Sequence, residues 1–375
     1  MRRLLTLFAL LSSAAPGAWA WGAAVHRLVT LLAVEALPSD APEWLRAGDT
    51  PNRLAFLSNQ ADRWRGWDSA VLQHENSPEH YLDIELLDQF GLTLASVPRL
   101  RMEYVRQMAV AKYRAPASVE PYDPNTDPAR VHEWPGFLLH AIAEHYAKLQ
   151  AAFWQVRILE RLGDPARRVE LEEARAIACY HLGCLSHFVA DAAQPLHTTK
   201  HYDGWRGDNP AGYRWRDKFH AYVDEGWAVT HAVDAATLRP HVRPATTSGG
   251  DDPWDDVLAY IGRSHAQVAM LYTLERDGLL DRAAGRELLV ARLSDAASML
   301  SGLIRAAYVG SEPTAEQVER WVRYDRGAVR PDPPATQPTQ PSARRGDTPP
   351  GQALVAVRRP RGLLYFGPIQ KPRSR

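Results

Sequence analysis

Leu185-Ser-His-Phe-Val-Ala-Asp-Ala-Ala-Gln-Pro-Leu-His197 carries, in one short stretch, the pattern on which both fold and chemistry turn. Its apolar residues continue a three- and four-residue rhythm that starts near Glu170, which predicts an amphipathic helix over Glu170–Ala193. Pro195 ends that helix, because it lacks an amide donor and its ring collides with the preceding turn. His187 and Asp191 are four apart, so the helix sets them one turn from each other on a single face. An imidazole and a carboxylate so placed are able to grip one metal ion, although a surface hydrogen-bonded pair has the same spacing. His197 lies past the proline and is expected to point elsewhere, towards a second ion.

Outward from this stretch the same rhythm recurs in Val25–Leu37, Asn52–Trp64, Arg99–Tyr113, Gly136–Leu162, Asp217–His231, Trp254–Leu274 and Ala283–Tyr308. A shorter amphipathic segment, Thr314–Arg323, follows. Sustained alternation between turn dipeptides is missing, so a sheet-based fold is not expected and the class is all-α. Cys179 and Cys184 are five apart on one predicted helix, about 140° around its axis, which excludes a disulfide between them within that helix. With 44 acidic and 44 basic side chains, the formal charge is zero. Bulk charge therefore selects no partner, and any attraction to phosphate has to come from a local site.

The ends have a different character. Arg2 and Arg3, an apolar run Leu4–Leu11 and the small residues around Ala18-Trp19-Ala20 have the three-part layout of a secretory signal peptide over residues 1–20. The run is too short to span a bilayer, and no later segment is apolar enough for a transmembrane anchor. The expected location is secreted or periplasmic, with Trp21 as the first residue of the mature chain. From Gly327 the composition turns to proline, threonine, glutamine and serine, then to arginine and lysine, so residues 327–375 are read as a disordered, basic tail. A solvated end is the simple reading of such a tail; a polyanion contact is the alternative.

Further candidates surround the quoted stretch. His220 and Asp224 repeat the four-residue spacing, while Glu225 is offset by one and expected to face away. Upstream stand Asp62 and His80, each unremarkable in isolation. Cleavage after Ala20 would leave Trp21-Gly-Ala-Ala-Val-His26 at the N-terminus. The free amine and carbonyl of Trp21 would then form a five-membered chelate that His26 completes. Imidazole nitrogen, carboxylate oxygen and water are the ligand types zinc takes.

Taken together, Trp21, His26, Asp62, His80, the run His187, Asp191, His197 and the pair His220, Asp224 resemble the zinc-dependent phospholipase C and S1/P1 nuclease superfamily. The resemblance covers Trp21 to about Trp227. It implies a single multi-helix domain over residues 21–326 holding three zinc ions. Asp62, His80 and His187 would bind one ion, with Asp191 bridging to a neighbour on Trp21 and His26, and His197, His220 and Asp224 would bind the third. A paired-zinc site lowers the pKa of a shared water, so hydroxide is available at neutral pH for attack on phosphorus. Asp62 and Arg65 are the implied catalytic residues, Arg65 as the cationic side chain that meets the phosphoryl oxygens.

Within the superfamily, the closeness of His26 to Trp21 and the use of Asp224 point to the nuclease branch. Tyr81 and Asp83 resemble a base-stacking aromatic and a base-reading carboxylate, and Asn209 falls in a blurred glycine-asparagine loop. Ala190 and Ala193 depart from the nuclease pattern, which has glycine and histidine there. The expected activity is phosphodiester hydrolysis of single-stranded DNA or RNA by a monomeric exported enzyme. Phospholipase C-type cleavage of phospholipid and a secreted metal-binding protein without turnover are the alternatives.

Overall fold

The computed structural model describes residues 22–243 and 252–327. The expected signal peptide over residues 1–20, Trp21 and the expected tail, apart from Gly327 at the end of the last helix, lie outside the described residues. A first compact unit runs to Trp321. The described residues form helices and turns without a strand, so the all-α expectation is met.

The N-terminal part contains α1 (Ala23–Glu35), α2 (Thr50–Leu57), α3 (Gln60–Arg65) and α4 (Ala70–Asn76), followed by α5 (Arg101–Arg114). Two long helices, α6 (Leu138–Leu162) and α7 (Arg168–Ala193), come next. Gly163 closes α6 in the left-handed region at φ 58°, where a side chain would be strained, and the short connection returns α7 along α6. Three pieces then follow closely: α8 (Phe219–Ala221), α9 (Trp227–Thr230) and α10 (Ala235–Leu238). The C-terminal part has α11 (Trp254–His265), α12 (Val268–Arg276), α13 (Ala283–Val309) and α14 (Ala315–Gly327).

Helix α7 is the axis of this unit, with α1, α2, α6, α11 and α13 packed around it. Every residue from Leu182 to Thr199 is buried, including the quoted stretch. Burial on all sides suits a helix enclosed by others. Close approach is built in at Gly183, where a Cβ would lie 2.3 Å from the Cβ of Leu57 on α2. Polar ties fix the neighbours in register: Thr30 Oγ1 lies 2.5 Å from Ser186 Oγ, and the Tyr260 hydroxyl donates to the Val189 carbonyl at 2.8 Å. Among the described residues no helix is long and apolar enough to cross a membrane.

Three predicted helices are interrupted. Asn52–Trp64 breaks at Ser58 and Asn59, whose polar groups bond the Ala55 carbonyl instead of continuing the ladder. Asp217–His231 starts two residues late, after Lys218 in the left-handed region, and contains a π-helical turn over Tyr222–Gly226. Trp254–Leu274 divides at Ala266 and Gln267. In each case the apolar rhythm persists through the break, which is why periodicity alone does not reveal it. Cys179 and Cys184 are buried and free.

Candidate metal centre

Helix α7 delivers His187 and Asp191, and its end delivers His197. Gln194 is decisive for the latter: its side-chain oxygen accepts the Leu196 amide at 2.6 Å, setting the 3-10 turn Pro195–Thr198. The other end of the same amide donates to Asp224 Oδ1. Asp224 and His220 come from the segment carrying the π-helical turn, whose wider spiral keeps residues four apart close together. His220 Nε2 is 2.9 Å from Asp224 Oδ2. Asp62 sits on the short α3, His80 ends the turn after α4, and His26 faces inward from the first turn of α1.

All eight described residues expected to hold metal meet in the interior. Three groups have mutually close ligand atoms: His26, Asp62 and His187; His80, His187 and Asp191; and His197, His220 and Asp224. Asp191 reaches in two directions, with Oδ1 3.5 Å from His26 Nε2 and Oδ2 3.0 Å from His80 Nδ1 and 3.4 Å from His187 Nε2. Asp62 Oδ1 is 3.8 Å from His187 Nε2 and 4.0 Å from His80 Nδ1. These groups are able to hold metal ions. Trp21, the ninth, lies outside the described residues.

The donor chemistry fits zinc. His187 donates its Nδ1 proton to the Ser58 carbonyl at 2.7 Å, and His197 donates its own to the His80 carbonyl at 2.6 Å. Backbone bonds of this kind fix the tautomer and leave Nε2 as a lone pair aimed into the centre. Two ring nitrogens then face each other at 3.1 Å (His187 and His80) and at 3.0 Å (His220 and His197). Nitrogens bound at zinc's ordinary length sit about 3.3 Å apart in a tetrahedron. Both nitrogens of His26, Asp62 Oδ1, Asp191 Oδ1 and Asp224 Oδ2 are buried without a hydrogen-bond partner among the described residues. Buried polar atoms are rarely left so, and a cation satisfies them together.

The shifts of three histidines point the same way. Burial, reinforced by neighbouring imidazoles, pushes His26 well below the usual histidine range. Burial, with Arg65 and His187 adding to it, does the same to His80. His187 is lowered by burial against the opposing pull of Asp62. Neutral imidazole is the form that ligates. Asp191 runs the other way: burial drives it well up against the pull of His197, with Asp62 and Asp224 adding to the rise, so its ionised form calls for a cation beside it. Burial also works against ionised Asp224, but His220 and His197 overcome it and bring that carboxyl to about 2.

A cavity of about 260 Å³ opens beside the donors, lined by Arg65, His80, Tyr81, Asp83, His197 and His220, among others. Arg65 Nη1 lies 3.5 Å from Asp62 Oδ1. The Tyr81 hydroxyl donates to the Val131 carbonyl at 2.6 Å, which orients its ring in the wall. Asp83 is pushed up to about 8, first by burial and then by Glu85, so its carboxyl keeps a proton at neutral pH. Asn209 is placed differently from the sequence reading: it is not among the lining residues, and its amide closes a turn through the Tyr213 amide and carbonyl. His201, near the same loop, stacks on Trp205 at 4.0 Å. Glu225 packs against Gly22 rather than joining the donors.

Sequence reasoning overlooks three contributors. Gln194 has only its place before a proline as a signal, and His132 and Tyr202 reach the cavity from loops without periodic pattern. A larger cavity of about 370 Å³ lies between α5, α6 and α11, but its arginines are paired, Arg99 with Asp252 and Arg101 with Glu79. Compared with known proteins, the chain matches no family model, and no curated protein matches it significantly.

Proposed function

We propose that this chain is an exported phosphodiesterase of the S1/P1 nuclease kind, using three zinc ions to hydrolyse single-stranded DNA or RNA. The observation that carries the reading is the convergence of eight residues, from six places in the sequence, on one buried centre with an arginine-lined cavity beside it. Zinc held by these donors supplies Lewis acidity and a water activated near neutral pH.

The remaining work belongs to side chains. His187 and His197 hold their ring planes through backbone carbonyls, so the donors are arranged before substrate arrives. Asp191 offers one oxygen to each side and ties the His26 group to the His80 group. Asp62 draws the Arg65 guanidinium towards the centre, where its planar fork matches two phosphoryl oxygens. Tyr81 presents an aromatic wall suited to a base, and protonated Asp83 is able to donate to an acceptor on the base edge.

The test gives zinc-loaded mature protein single-stranded DNA, RNA and phosphatidylcholine in parallel. Mononucleotides or short oligonucleotides are the expected products. Diacylglycerol alone would contradict the nuclease assignment in favour of phospholipid cleavage. Turnover of none of the three would contradict both and leave a metal-binding protein.

A further inference from the structure

Gly22 stands where two donor groups meet. Its carbonyl accepts the amide hydrogens of Val25 at 2.7 Å and His26 at 3.2 Å, opening α1, and its own amide donates to the Asp224 carbonyl at 3.0 Å. One residue thus joins, through backbone alone, a donor of the His26, Asp62, His187 group to a donor of the His197, His220, Asp224 group. Helix α1 has no side-chain cap at this end. A longer bond from Asn59 Nδ2 to the Ala23 carbonyl at 3.3 Å adds to the tie at this end.

The junction admits no side chain. A Cβ at residue 22 would lie 2.6 Å from Glu225 Cγ and 2.7 Å from both Cβ and Cδ of that residue. Because the Glu225 Cβ is fixed to the backbone, rotating the side chain does not relieve the clash. The turn that bears Glu225 is held in turn. Arg216 stacks on the Tyr222 ring at 3.7 Å, and the Tyr222 hydroxyl is bound by Asp281. Any side chain at 22 therefore has to push α1 away from Asp224 and stretch the bond between them.

We infer that Gly22 is a positioning residue that couples these two donor groups, so that ions bind to them cooperatively. The inference rests on the metal-centre reading above. Coupling of this kind is reciprocal: an ion that orders Asp224 fixes the start of α1, and an ion on His26 fixes Asp224 in return.

Zinc binding is measured by equilibrium dialysis and elemental analysis on mature protein whose N-terminus is verified by mass spectrometry. Native protein, Gly22→Ala, Glu225→Gly and the double variant are compared. Gly22→Ala is expected to weaken at least one ion by roughly 10–100-fold, the usual effect of disturbing an outer-shell partner, and to split a steep isotherm into separate steps. Glu225→Gly removes the clashing carbons, so the double variant is expected to bind like Glu225→Gly alone. That comparison carries the test where Gly22→Ala does not fold. Three ions bound by Gly22→Ala as tightly and as steeply as by native protein would overturn the coupling. So would a double variant that stays as weak as Gly22→Ala or fails to fold. Native protein that folds yet takes up no zinc would overturn the metal-centre reading itself.

Discussion

Arg65 is the residue whose role is most open to direct test. It lines the cavity and faces Asp62, yet it belongs to none of the three donor groups. Arg65→Ala is expected to lower kcat on a phosphodiester by about 10²–10³-fold, the usual cost of removing one transition-state donor, with zinc content unchanged. Loss of zinc with activity would assign the arginine a structural part instead. Individual residues were legible to different degrees. His187 with Asp191, and His220 with Asp224, follow from helical spacing, which sets two side chains on one face whatever surrounds them. Asp62 and His80 have no local pattern and gain a role only through the resemblance, whereas His26 enters as the neighbour of the expected Trp21 chelate. Gln194 was invisible, because its value lies in a hydrogen bond to a residue thirty positions away. Asn209 lies outside the cavity lining and closes a local turn, which a glycine-rich loop signals without saying what the turn contacts.

At the scale of elements, long helices were legible and their interruptions were not. The burial of α6, α7 and α13 imposes the apolar rhythm, whereas the break at Ser58 follows from local polar competition, and the break at Gln267 and the π-helical turn leave the rhythm unmarked. The packing of α6 on its neighbours makes a prediction about acid stability. Burial lowers His145 to about 3, with His181 nearby adding to it, and lowers His140 to about 4. In the unfolded chain both groups take a proton near the ordinary value of 6.5. Unfolding therefore absorbs protons as the pH falls below 6.5, and stability present above that value is lost on the way down to the folded values. Urea midpoints of metal-free protein are expected to fall over this window, and His145→Gln is expected to reduce the fall. Parallel midpoint curves for the two proteins would show that His145 takes no part.

For the molecule as a whole, the helices around α7 gather donors spread from His26 to Asp224 into one interior, where leaving them unpartnered is costly. A site missing from the unfolded chain links metal affinity to folding. The proposed export and cleavage after Ala20 matter at this scale too, since the proposed Trp21 chelate would require a free amine. The central claim is that this interior is a zinc centre, and anomalous diffraction at the zinc edge from crystals of mature protein tests it most directly. Three anomalous peaks are expected, one of them bound by His197, His220 and Asp224 and the other two joined by Asp191. Crystals grown with zinc present that show no anomalous density within bonding reach of these side chains would contradict the account.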